Sequence, residues 1–142
     1  MATFVDTNVL AYAHDASDAV RQPIAARLLH DLWRARDGVL STQVLTEFYA
    51  VVTRKFDPPM PRRDARVLVA AYAAWPVVQV DPALIVAASV LEEKHTLSFW
   101  DALIIEAARR AGADRLVSED LQQDRRIAGL VIANPFSPHD PI

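Results

Sequence analysis

The sequence predicts an α/β fold: a small, mainly parallel five-stranded sheet with helices on both faces. Two observations carry the prediction. Five short β-rich runs recur along the chain, and most are separated by one or two stretches whose apolar residues repeat at three- and four-residue spacing. Strands joined through helices run parallel by crossover connections.

The first run, "TFVD", leads into "VLAYAHD", a helix whose first turn Thr7 or Asn8 can cap. From Asp18 to Arg36 the residues Ile24, Leu28, Leu29 and Leu32 trace an amphipathic helix, which the Asp37-Gly38 turn ends. "VLST" is the second strand. "QVLTEFYAVVTRKF" is a helix with Val44, Leu45, Phe48, Val51 and Val52 on its apolar face, stopped by the prolines of "DPPMP". A further helix runs from about Arg63 to Trp75. "VVQV" at Val77 to Val80 is the third strand, Asp81-Pro82 opens the helix "ALIVAASVLEEKH", and Ser98 opens "FWDALIIEAARRAG", which Gly112 ends. "RLVSED" and "LVIAN" supply the fourth and fifth strands.

With 142 residues, residues 1–142 fit one domain that can bury a sizeable core. The 52% apolar and 23% charged content is that of a globular protein, not of a disordered or fibrous one. The longest apolar run, Val67 to Trp75, is far below the roughly 20 residues that span a bilayer. No membrane association is expected. The N-terminus lacks the basic-then-apolar order of a secretory signal, and there is no cysteine, so a cytoplasmic location is expected. A net charge of −3 argues against a generally positive field for nucleic acid. Three scattered glycines, Gly38, Gly112 and Gly129, exclude a glycine-rich phosphate loop.

Four acids stand where solvated acids are not expected. Asp6 and Asp120 fall at the carboxyl ends of predicted strands, where open α/β sheets bind ligands. Glu47 has Val44 and Val51 as its i−3 and i+4 neighbours, and Asp101 has Leu97, Ile104 and Ile105 at equivalent spacings. Each has a structural explanation taken singly: Asp6 and Asp120 as caps, Asp101 in a capping box with Ser98, Glu47 at the surface of a rotated helix. Convergence of all four requires a neutralising cation, and an all-oxygen set selects a hard one, Mg²⁺ or Mn²⁺. Such an ion serves phosphodiester hydrolysis.

The chain resembles the PIN-domain ribonucleases of the VapC type, the toxin half of bacterial toxin–antitoxin pairs. The resemblance rests on "FVDTNVL", "STQVLTEFY", "LSFWDALIIEAA" and "LVSEDLQ" followed by "NPF", in that order over nearly the whole chain. It implies a Mg²⁺- or Mn²⁺-dependent endoribonuclease whose metal and catalytic residues are Asp6, Glu47, Asp101 and Asp120, with Asn8 and Ser118 as supporting polar groups. It also implies an RNA substrate, a homodimer and a small antitoxin that crosses the active-site groove. One position departs from the pattern: many relatives with "SEDLQ" carry Gly four residues after the final Asp, where this chain has Asp124, followed by Arg125 and Arg126.

Other features read as ordinary. Arg21, Arg54, Lys55 and the pairs Arg62/Arg63, Arg109/Arg110 and Arg125/Arg126 suit RNA backbone, but solvated faces account for most, and Arg54 and Lys55 complement a helix dipole. His14, His30, His95 and His139 show no metal-ligand spacing, and Trp33, Trp75 and Trp100 read as packing residues. Two competing functions remain. One is a non-catalytic module that uses the groove for a partner. The other is an aspartyl-phosphate phosphatase or receiver domain, which the single acid of "VDTN" disfavours because Asn8 stands where a second Asp is needed.

Overall fold

The structure is a computed structural model, and it describes residues 1–121 and 126–137. The elements follow in the order β1 (Thr3–Val5), α1 (Thr7–Tyr12), α2 (Arg21–Ala35), β2 (Gly38–Ser41), α3 (Thr42–Arg54), α4 (Arg62–Tyr72), β3 (Val77–Val78), α5 (Pro82–His95), α6 (Phe99–Arg110), β4 (Arg115–Val117), β5 (Arg126–Ile127) and β6 (Leu130–Ala133). The α/β class and the mainly parallel sheet are as predicted.

The sheet has six strands, not the expected five, in the order β3-β2-β1-β4-β6-β5. All neighbours are parallel except β5 and β6, which form an antiparallel hairpin with Ile127 opposite Leu130. Its two turn residues, Ala128 and Gly129, have φ of 52° and 85°. Positive φ at both positions matches the right-handed twist of the flanking strands. Two residues are too few to show strand periodicity, which is why β5 escapes the sequence pattern. Asp124 and Arg125 lie outside the described residues, as does His139.

Chain direction places the site. From β1 the chain moves through β2 to β3 on one side, then returns through α5 and α6 to β4 on the other. Right-handed crossovers put α1 to α4 on one face of the sheet and α5 and α6 on the other. The packing agrees, with α1 against α2 and α3, α3 against α4, and α5 against α6. The strand order therefore reverses between β1 and β4, and their carboxyl ends open a crevice there.

Strands buried on both faces explain the continuous apolar runs: Phe4, Val5, Leu40, Leu116 and Ile132 are almost fully enclosed. From the helices, Val44, Phe48, Val52, Leu84 and Ile105 pack against them. Other local expectations differ in detail. α1 is capped by Asp6, not by Thr7 or Asn8, because the chain is still extended at Asp6 (ψ 158°) and its carboxylate accepts from the Thr7 N–H. α2 ends through Arg36 at φ 58°, and Gly38 instead begins β2. Glycine is required at that position because a Cβ would lie 2.2 Å from the ring of Trp75. β3 stops at Val78, and two residues on the Val80 N–H is taken by the Thr42 hydroxyl at 3.1 Å. Asp81 and Ser98 cap α5 and α6 as expected. No helix among the described residues is long and apolar enough to cross a membrane.

Candidate active site

The crevice between β1 and β4 is a cleft of about 400 Å³. Asp6, Glu47, Asp101 and Asp120 all line it, together with Thr7, Asn8, Gln43, Arg54, Lys55 and Trp100. The four acids singled out by position in the sequence are thus brought to one place by four separate elements or their ends.

Asp6 sits at the corner where β1 becomes α1, and it is 8% exposed. Its Oδ1 accepts from the Thr7 N–H at 2.7 Å, and its Oδ2 accepts from the Ser118 hydroxyl, also at 2.7 Å. Burial pushes its pKa up to about 6, with repulsion from Asp120 and Glu47 adding to that and the Ser118 and Thr7 hydrogen bonds opposing it. A carboxylate under this strain favours any cation that joins it.

Glu47 projects from α3, and its Oε1 accepts from the Thr7 hydroxyl at 2.8 Å. Thr7 therefore ties two of the acids together, its main chain to Asp6 and its side chain to Glu47. Asp120 follows β4; its carboxylate accepts from the Asn8 side-chain amide, and its own N–H donates to the Ser118 hydroxyl at 3.3 Å. Burial raises the Asp120 pKa, the Asn8 bond opposes the rise, and Glu119 and Asp101 reinforce it. Asp101 lies in the first turn of α6, where its N–H donates to Ser98 Oγ at 3.1 Å. Its carboxylate has no hydrogen bond to a described residue, so it is free to turn toward a ligand. Asn8 and Ser118, the supporting polar groups that the resemblance implies, hydrogen-bond Asp120 and Asp6 respectively.

Among the described residues, no three acidic or histidine side chains are already gathered round one point. The donor set is nonetheless all oxygen, and burial, reinforced by repulsion between acids, raises two of its carboxyl pKa values. It fits a hard cation that takes one or two carboxylates directly and keeps several waters, which is the habit of Mg²⁺.

Five residues of the cleft were missed or misread from the sequence. Thr7 looked only like a cap, and its partner Glu47 is 40 residues away. Arg54 and Lys55, attributed to the α3 dipole, also line the cleft. Trp100, read as packing, is 63% exposed on the cleft wall, whereas Trp75 is buried and Trp33 packs edge-on against it and Tyr72. Gln43 reaches across to Trp100, donating its Nε2 to the Trp100 carbonyl at 3.3 Å, while its buried Oε1 has no partner among the described residues. Outside the cleft, Arg21 pairs with Glu119 at 2.6 Å and covers the rings of Tyr12 and Phe136. This cluster fixes the residue next to Asp120. His14 is held by the Tyr72 hydroxyl at 2.7 Å in an aromatic cluster, away from the acids.

Comparison with known proteins agrees with this fold. Among solved structures, the chain is similar to the Mycobacterium tuberculosis toxin VapC20, a sarcin-ricin loop cleaving toxin, with a TM-score of 0.63 and 27% identity, covering 81% of this chain and 87% of that one. It shares its fold with a toxin–antitoxin complex from Klebsiella pneumoniae (TM-score 0.68, 18% identity, 95% and 98% covered). It also shares it with VapBC2 from Rickettsia felis bound to a DNA fragment from their promoter (TM-score 0.66, 18% identity, 94% and 98% covered). No curated protein matches the sequence. The PIN domain model matches residues 3–128, nearly the whole of the described fold, and the chain belongs to the PIN domain family.

Proposed function

We propose that this protein is a Mg²⁺- or Mn²⁺-dependent endoribonuclease and the toxin of a toxin–antitoxin pair. The observation that carries the reading is the meeting of Asp6, Glu47, Asp101 and Asp120 in one cleft at the reversal point of a PIN-family sheet. Family membership supports a nuclease. The toxins and toxin–antitoxin complexes among the similar structures support a small antitoxin partner. A homodimer and a cytoplasmic site of action complete the proposal, with the whole sequence, residues 1–142, serving as one domain.

In this reading the four acids would hold the ion between them, one or two directly and the others through its waters. An ion held there would supply a water of lowered pKa and offset charge on the scissile phosphate and the leaving oxygen. The chain's own residues set the geometry in advance. Thr7 and Ser118 fix both oxygens of Asp6, Thr7 also fixes Glu47, and Asn8 fixes Asp120. Asp101, unrestrained by any described residue, supplies the adaptable carboxylate. Crowded anions weaken the hold on phosphate, and a cation between them would strengthen it.

The test is cleavage of RNA by the purified chain with Mg²⁺ or Mn²⁺, suppressed by EDTA. Asp6→Asn and Asp101→Asn each reduce the rate at least about a hundredfold, as removal of a key electrostatic group does, with the far-ultraviolet circular dichroism unchanged. Undiminished cleavage by both variants sinks the assignment. Expression alone arrests growth and Asp6→Asn relieves the arrest; harmless expression of active, soluble protein removes the toxin role.

A further inference from the structure

Two features of the cleft are not used by the acids, one toward the end of α3 and one at the start of α6. Arg54 and Lys55 lie seven and eight residues beyond Glu47 on or just after α3, about 10–12 Å further along its axis. Both are exposed, and neither forms an ion pair with a described residue. Nor are they among the charges acting on Asp6 or Asp120. These are cations placed to meet an anion that extends beyond the acidic centre. Trp100 stands beside Asp101 with most of its indole in solvent. Its main chain is tied to α3 by the Gln43 amide, so the ring stands on a fixed support. An exposed indole on such a backbone is a surface on which an unstacked base can lie.

We propose that the substrate strand runs along this cleft, with an unpaired base stacked on Trp100 and two neighbouring backbone phosphates held, one each, by Arg54 and Lys55. This rests on the ribonuclease reading and goes beyond it by naming what grips the strand on either side of the acids. A paired base within a duplex keeps its faces stacked and cannot cover the indole, so the cleft selects unpaired nucleotides. As the last charges of α3, Arg54 and Lys55 also favour its dipole. That role alters stability, but it leaves the salt dependence of RNA binding unchanged.

The experiment measures binding of a labelled single-stranded RNA of about 12 nucleotides, within the span such surfaces cover, by anisotropy in EDTA over a series of salt concentrations. Cleavage is followed in parallel with Mg²⁺. Arg54→Gln and Lys55→Gln each lower the slope of log K against log salt by about 0.7, the loss of one phosphate contact to a single strand, and raise KM with kcat unchanged. Trp100→Leu weakens binding about five- to 150-fold with the slope intact. Trp100→Phe restores most of it, and the effect disappears on an abasic strand of the same length. If cleavage persists while the Arg54→Gln/Lys55→Gln double variant and Trp100→Leu bind RNA with unchanged affinity, slope and KM, the path is wrong and the ribonuclease reading stands. If the unaltered protein neither binds nor cleaves RNA, both fall. If the substitutions spare RNA but break association with a co-purified protein, the face is a protein-docking surface and the path is overturned.

Discussion

Asp6→Asn is expected to make the protein more stable and inactive at once. In the fold the Asp6 carboxyl titrates at about 6, chiefly because it is buried and further because Asp120 and Glu47 repel it. An Asp in the unfolded chain titrates near 3.9. Below about pH 4 the group is protonated in both states and contributes nothing. Between about pH 4 and 6 the folded chain keeps a proton that the unfolded chain has lost, so stability falls as pH rises through this window. Above about pH 6 the loss is complete. A difference of about two pKa units, each about 1.4 kcal/mol, makes that loss about 3 kcal/mol.

Asn carries no charge to desolvate. Its Oδ1 can keep the Thr7 N–H, and its amide can donate to the Ser118 oxygen once the hydroxyl turns. Allowing about 1 kcal/mol for a less well matched hydrogen bond, the variant gains about 1–3 kcal/mol at pH 7.5 in EDTA, or roughly 3–10 °C in Tm. The gain shrinks toward zero as pH falls to 4. Mg²⁺ reverses the comparison, because an ion bound only by the folded chain stabilises it by mass action. The wild type then rises in Tm and the variant does not. Calorimetric melts from pH 4 to 8, with EDTA and with Mg²⁺, read all of this. A variant less stable than wild type in EDTA at pH 7.5, or a gap that is constant with pH, refutes the electrostatic account of Asp6.

Thr7→Val removes the hydroxyl that Glu47 accepts from at 2.8 Å but keeps the N–H to Asp6; the divalent-ion concentration for half-maximal cleavage rises about tenfold, the scale of losing one outer-shell partner, as an ion titration of the rate will show. Gly38→Ala drives a methyl against the Trp75 ring and costs about 1–3 kcal/mol, seen as a lower urea midpoint at constant slope. Ala128→Gly relieves a positive φ and stabilises the hairpin by about 1 kcal/mol, measured by the same unfolding curves, with cleavage unaltered.

The helices were legible because their ends carry local chemistry. Ser98 and Asp81-Pro82 announce starts and Gly112 a stop, and each side chain or backbone group acts within three or four residues of itself. The central strands were legible because burial on both faces leaves them uninterrupted apolar runs. What failed was set by distant contacts. Gly38 looked like a turn residue, yet it is small because Trp75 lies against it. The hairpin of β5 was hidden by Ala128, which occupies a conformation that Asn or Gly would have advertised.

The site divides along the same line. Asp6, Glu47, Asp101 and Asp120 could be suspected singly, because an acid at a strand end or beside an apolar helix face is costly and therefore noticeable. That they meet is a property of strand order. β1 and β4 are separated in sequence by most of the chain, and only the reversal between them sets Ser118 against Asp6, 112 residues apart, at 2.7 Å. Thr7, Gln43 and Trp100 carry no such local cost. A threonine after an Asp, a glutamine in a helix and a tryptophan among apolar residues are each unremarkable until the sheet is assembled. The acids proposed to react thus leave a mark in the sequence through the energy of burying charge. The groups that hold the acids leave none, and the cations of α3, explained locally by its dipole, are seen to line the same cleft only once the sheet is assembled.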